Sequence, residues 1–278
     1  MLMLPSYPRL DTSIIGPITI MDSFKAQFGQ LSSPVHGILV SCILLCAAVG
    51  SSFAGRPADV LGRPRAIALG AAIFTIGVAL QAGAVNLIMF AIGRVVEGFG
   101  YGFYIGTQTV YICEISPPKH RGPLTSGPQF MTCLALVVGY FMSYGTVNIP
   151  GSLSWRLPFV VTAVIAAAYV VTNLFVLPDS PPWLVLQGRQ ADADKAWDAL
   201  GVKREDREVP EEIALDTNEG SAMNIEGPVQ RARNEKTVSF MDLWARDVRK
   251  RTFLAIFLLG FLQLCGIDAV LYVGVFLA

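Results

Sequence analysis

Charge is what this sequence has least of. Asp, Glu, Lys and Arg make up 15% of its 278 residues, against roughly 25% in soluble domains. The little there is lies in one place: 27 of the 42 charged residues, 12 basic and 15 acidic, fall between positions 178 and 251. Net charge is zero and no basic stripe is visible, which argues against a nucleic-acid partner. Histidine occurs twice, at His36 and His120, and neither sits near a nucleophile and an acid on one membrane face, which argues against a membrane enzyme. The five cysteines (Cys42, Cys46, Cys113, Cys133, Cys265) all lie in apolar stretches without the paired spacings of a zinc site. They read as small buried hydrophobes, and no metal or cofactor is implied. The first 13 residues lack both a basic start and a long apolar run, so no cleavable signal peptide is expected.

What is present is apolar length. Hydrophobic residues reach 53% and the mean hydropathy is +0.52. A bilayer core about 30 Å thick needs roughly 20 apolar helical residues, because backbone polar groups cannot be left unpaired in lipid. Six segments qualify, 35–54, 66–85, 87–112, 124–147, 157–177 and 252–278, and 11–24 reads as the outer half of another. The expected class is an all-α, multi-pass membrane protein. Arg56, Arg63 and Arg65 in link 55–65 and Lys119 and Arg121 in link 113–123 contrast with links near Asn86 and 148–156 that share Arg156 alone. The positive links, and with them 178–251, are therefore expected on the cytoplasmic side. Within 178–251, Ser180 with Pro181 offers a helix start, 189–202 reads as a short amphipathic helix stopped near Gly201, 239–242 as a capping box, and 216–228 as a loop.

Ionisable groups inside spans cost about 2.5–3.5 kcal/mol each on insertion scales and so need partners or a wet cavity. Asp11, Arg94, Glu97 and Asp268 are of this kind. Arg94 and Glu97 stand three apart on one helix and are placed to pair; the other reading sets Arg94 opposite Asp11, so that a proton on Asp11 frees the arginine. Gly98, Gly102 and Gly106, four apart, form a smooth face for a close helix contact.

Five ordered stretches carry a resemblance. Gly55, Asp59, Gly62 and Arg63 in "GRPADVLGRPR", Gly93, Arg94, Gly98, Gly100 and Gly102 in "GRVVEGFGYG", Glu114, Pro117, Arg121 and Gly122 in "EISPPKHRG", Trp155, Arg156 and Pro158 in "WRLPF", and Pro178, Ser180, Pro181, Trp183 and Leu184 in "PDSPPWL" resemble the motifs of the sugar porter branch of the major facilitator superfamily. The resemblance implies an N-terminal six-helix bundle over 1–177 with helix 1 partial, a cytoplasmic helical linker over 178–251, and helix 7 over 252–278 as the first of a second bundle. Helices 8 to 12 have no counterpart in the chain, so the resemblance implies an incomplete protein in which Arg94 and Gln129 face lipid or a partner.

It also implies roles. Gly55, Asp59, Gly62, Arg63, Glu114 and Arg121, with Arg56 beside them, match the ion-pair network that holds the inner gate shut. Asp11 and Arg94 match the proton-coupling pair, and Gln129, Gln263, Asp268 and Tyr272 match substrate-binding positions. Departures are Val60, Pro64 and Pro182 in place of basic residues, Leu262 where a paired glutamine is usual, Asp268 in place of asparagine, and Val273 in place of a second tyrosine. The expected function is secondary transport of a sugar, polyol or similar small polar solute, with a proton, across the lipid bilayer of the plasma membrane. The alternative is a solute sensor or regulatory half-transporter that moves nothing.

Overall fold

The computed structural model describes residues 8–117, 121–200 and 202, with single helical positions at 253, 254, 257 and 261. Met1–Pro210 form one compact unit and Glu211–Ala278 a second. The expected linker features at 216–228 and 239–242, Cys265, and the side chains of Arg121, Gln263, Asp268 and Tyr272 lie outside the described residues.

The first unit is built of ten helices among the described residues: α1 Pro8–Ile20, α2 Asp22–Phe28, α3 Ser33–Phe53, α4 Gly55–Leu61, α5 Arg63–Ala82, α6 Leu87–Ile115, α7 Arg121–Thr146, α8 Leu153–Phe175, α9 Pro181–Leu186 and α10 Gln190–Ala199. Five of them, α3 and α5 to α8, are long and apolar enough to cross a membrane, and the apolar stretch of α1 is shorter. Their outward faces carry large apolar side chains such as Ile38, Leu45, Ile76, Ile88, Phe141 and Phe175, the surface that lipid tails require. Helix boundaries fall within about four residues of the expected spans, inside ordinary end-assignment scatter plus caps. The link 55–65 is itself largely helical: Gly55–Leu61 forms α4 and Arg63, Pro64 and Arg65 are the first turn of α5, Pro64 being tolerated there because first-turn N–H groups have no helical partner. One expectation fails. The four described cysteines are half-buried or, at Cys133, exposed, because apolar faces of a membrane bundle point outward as well as inward.

α6 is the axis. It packs against α3 on one side and α5 on the other, α5 packs in turn against α8, and α1 lies against α7. Glycines make both α6 contacts close. A Cβ at Gly98 or Gly102 would strike the α3 backbone at Ile43 or Ala47, and one at Gly93 or Gly100 would strike α5 at Gln81 and Gly77 or at Phe74 and Gly70. Gly106, expected on the same contact face, has open space around it.

The end of the bundle remote from α4 is closed by an aromatic cluster of Phe24, Phe28, Phe90, Trp155 and Phe159. Arg156 caps it, with its guanidinium 4.9 Å from the Trp155 ring centre and a hydrogen bond of 3.0 Å to the Ala84 carbonyl. That position explains why an arginine is needed in "WRLPF": it ties α8 to the α5–α6 turn. Beyond α8, α9 begins where expected, with Pro181 in its first turn, but the Ser180 hydroxyl makes no capping bond. In α10 the Arg189 guanidinium beside Asp192 holds its carboxyl below the ordinary carboxylate value.

Candidate functional site

Two charged constellations sit on α6, about 20 residues apart and hence roughly 30 Å along its axis at 1.5 Å per residue.

The first is buried in the bundle. Arg94 lies two turns into α6, with Asp11 from α1 before it and Glu97 one turn on. Its Nη1 donates to Asp11 Oδ2 at 2.5 Å and stands 3.6 Å from Glu97 Oε2, and all three side chains are 0% exposed. Gln81 of α5, also fully buried, donates from Nε2 to Glu97 Oε2 at 2.5 Å. The guanidinium carbon lies 5.8 Å from the Phe90 ring centre. Arg94 therefore faces neither lipid nor a partner, contrary to expectation, because α1 and α5 close over it. Both readings of its pairing hold at once: Asp11 has the hydrogen bond and Glu97 the longer ion pair. The group carries two carboxylates and one cation. It also contains buried polar atoms without a hydrogen bond: Asp11 Oδ1, Arg94 Nε and Nη2, Gln81 Oε1 and Glu97 Oε1. A buried ion pair with unsatisfied atoms is a poor source of stability and a good candidate for a site with more than one arrangement.

The second constellation joins α4, α5, α6 and α9 at the basic end. Arg63 donates from Nη1 to Asp59 Oδ1 at 2.5 Å and to the Ala58 carbonyl at 2.9 Å. Its Nε and Nη2 reach Glu114, Nη2 at 3.1 Å and Nε at 3.3 Å to both oxygens. Asp59 is 71% exposed while Arg63 and Glu114 are 13% and 19% exposed, so the Glu114 half is the better shielded from water. Gly62 supplies the turn between α4 and α5 at φ +91°, where a side chain would also meet Asp179 and the Trp183 ring. Three expected members are thus brought together around Arg63. Gly55 opens onto free space and Arg56 is exposed.

Sequence reasoning missed the tie from the other side. Trp183 Nε1 donates to the Asp59 carbonyl at 2.8 Å, and the Tyr111 hydroxyl donates to the Pro178 carbonyl at 2.8 Å. The "PDSPPWL" stretch is thus hung on the clasp rather than a separate signature; its tryptophan, an amphipathic residue that needs a partner for its N–H, was the available signal. Gln81 was missed as well, and a lone amide within a span, where unpaired polar groups are costly, was the signal for it. Gln129 lies on α7 and is exposed. α7 touches α1 at Gly139, against Ser13 and Leu10, ten residues or about 15 Å further along the helix.

A family model described as "Sugar (and other) transporter" matches residues 6–277. "Probable polyol transporter 3" of Arabidopsis thaliana is 36% identical over 66% of this chain and 36% of its own length. "MFS-type transporter criB" of Aspergillus cristatus is 33% identical over 94% of this chain and 55% of its own. The chain thus spans between about a third and a little over half of the length of these curated relatives. Among solved structures, the partially occluded inward-open conformation of the xylose transporter XylE from E. coli superposes with a TM-score of 0.71 over 98% of this chain and 62% of that one, at 22% identity. The proton:xylose symporter XylE bound to 6-bromo-6-deoxy-D-glucose gives a TM-score of 0.60 at 20% identity, over 83% of this chain and 53% of that one. At such identity the likeness shows a major facilitator fold.

Proposed function

The chain belongs to the sugar (and other) transporter family, and from that premise we propose that it forms the first bundle, and with helix 7 the start of the second, of a proton-coupled transporter for a polyol, a sugar or a similar small polar solute. The plasma membrane is the proposed location. The observation that carries the reading is the fully buried Asp11–Arg94 pair, an ion pair set between two helices inside a bilayer-spanning bundle. Such a pair is a two-state element. With Asp11 ionised the guanidinium holds α1 to α6; a proton on Asp11 removes that attraction and lets the helices separate. The clasp of Asp59, Arg63 and Glu114, with Arg121, Gly55 and the turn glycine Gly62, holds the basic end shut, and proton and solute together favour its release. A network of this kind biases two conformations that differ by a few kcal/mol.

Solute hydroxyls are assigned to Gln129, Gln263, Asp268 and Tyr272. An amide both donates and accepts, and an ionised aspartate only accepts, so Asp268 favours a solute rich in O–H donors, which a polyol is. Several polyol-transporter relatives support that choice. Binding between two bundles at the midplane is the general arrangement for such folds, which makes the second bundle part of the site.

The test is uptake of labelled polyols and hexoses by vesicles holding this chain joined to the second bundle of a polyol-transporter relative, with the chain alone as control. Accumulation is expected in the joined protein when the outside is acidified, and Asp11→Asn is expected to abolish the pH dependence. Uptake that ignores both pH and Asp11→Asn rejects proton coupling, and failure to bind or carry any polyol or hexose rejects the solute class. Accumulation by the control is not expected, since binding at the midplane takes two bundles.

A further inference from the structure

The buried group contains one carboxylate more than a two-residue coupling pair needs. We propose that Glu97 is a second acceptor for Arg94: when a proton occupies Asp11, the guanidinium transfers to Glu97 instead of being left unpaired in the bilayer core. This rests on the reading of Asp11 as the proton site and adds a positioning residue to it.

Three observations carry the inference. Arg94 Nη1 is already 3.6 Å from Glu97 Oε2, so a displacement of under about 1 Å completes a charge-assisted hydrogen bond of ordinary length. Both sides of the new pair are open: Arg94 Nε and Nη2 have unused N–H groups and Glu97 Oε1 has no donor. Finally, Glu97 is held in place independently of Arg94, by the bond from Gln81 across the α5–α6 contact. That contact is tight enough that a Cβ at Gly77 would strike the Glu97 backbone, so the carboxylate has a fixed position to which the guanidinium swings. The charged and titratable groups around it are Asp11 from α1, Cys42 from α3 and Arg94 on α6 itself; α5 contributes Gln81, which does not titrate.

The balance is simple. A proton from water adds to an oxygen of Asp11, Arg94 keeps its charge and all its N–H bonds throughout, and one N–H···O hydrogen bond passes from Asp11 to Glu97. The group passes from one negative charge to neutral, and deprotonation reverses both moves. Without Glu97 the same protonation strands a buried cation.

The test is infrared difference spectroscopy of the chain in liposomes between acid and neutral pH, following the carbonyl stretch of a protonated carboxyl. The carboxyls elsewhere in the chain give acid-pH bands shared by both proteins, and one further band, present in the wild type and lost in Asp11→Asn, is expected for the buried carboxyl. In Glu97→Gln the midpoint of the Asp11 band is expected to fall by about one pH unit or more, as removal of a neighbouring negative charge requires, and Glu97→Asp is expected to restore it. Should Glu97→Gln not fold, Gln81→Leu replaces it: with its donor gone, the Glu97 carboxylate is no longer held for Arg94, and the midpoint of the Asp11 band is expected to fall as in Glu97→Gln. An Asp11 band unmoved in Glu97→Gln, or in Gln81→Leu where that replaces it, overturns the inference and leaves Asp11 as the proton site. If no band of the wild type is lost in Asp11→Asn, the coupling reading falls and this inference with it.

Discussion

At the scale of the residue, Arg94 shows how a single side chain can organise a bundle without stabilising it. Its desolvation is offset by Asp11 and, at longer range, by Glu97, yet two of its nitrogens have no acceptor. Removing one member of such a group leaves uncompensated buried charge and costs about 3–5 kcal/mol, whereas replacing all members with apolar side chains of like volume is often neutral or stabilising. Arg94→Met is therefore expected to lower the melting temperature in detergent strongly. The triple change Arg94→Met, Asp11→Leu, Glu97→Leu is expected to recover most of the loss while leaving the protein without a pH response. Thermal unfolding followed by thiol-reactive dye checks both, and a triple variant no more stable than Arg94→Met would show the charges to be structural glue after all.

At the scale of the element, the glycines of α6 divide by what they touch. Gly102 faces Ala47 so closely that no side chain fits without moving α3, while Gly106 meets nothing within 4 Å. Gly102→Leu is expected to prevent a monodisperse preparation on size-exclusion chromatography. Gly106→Ala is expected to be neutral or to stabilise by up to about 1 kcal/mol, the helix-propensity difference. The spacing of four revealed the face toward α3 from sequence alone, since that period is set by one helix. The second face was hidden: Gly93 and Gly100 on α6 answer Gly70 and Gly77 on α5, and a period of seven shared by two helices has meaning only once their pairing is known. The same reason divides the candidate site. Asp11 and Arg94 stood out as charges inside spans, where ions need a purpose, and the resemblance to the sugar porter motifs tied Asp59, Arg63 and Glu114 together. Gln81 and Trp183 act through contacts 16 and 124 residues away in sequence, distances that only packing resolves. Link 55–65, known from the sequence only as a charged connection between two apolar spans, is helical on both sides of Gly62 because Pro57 and Pro64 each fall in a first turn.

At the scale of the whole bundle, α6 carries both constellations on one rod of 29 residues, about 43 Å long, so a change of tilt at Arg94 is carried to Glu114 without any intervening relay. Coupling between two sites is reciprocal: whatever protonation does to the clasp, opening the clasp does to proton affinity. The clasp is not uniform. Asp59 is largely exposed, and an exposed pair is worth about 0–1 kcal/mol, whereas Glu114 takes two nitrogens of Arg63 in a half-buried setting where charge-assisted bonds are worth about 1.5–3 kcal/mol. Glu114→Gln is accordingly expected to speed amide hydrogen exchange in α4 by about tenfold, the factor for roughly 1.4 kcal/mol, and Asp59→Asn by much less. If protonation favours the open clasp, Glu114→Gln also raises the midpoint of the Asp11 carboxyl band. Conversely, α4 in the wild type should exchange as fast as in Asp11→Asn at acid pH and more slowly at neutral pH, the two proteins being compared at each pH so that intrinsic exchange cancels. Mass-resolved exchange of peptides covering Gly55–Leu61 reads this directly, and equal α4 exchange in the two proteins at every pH would mean that the buried triad and the clasp, though built on one helix, do not communicate.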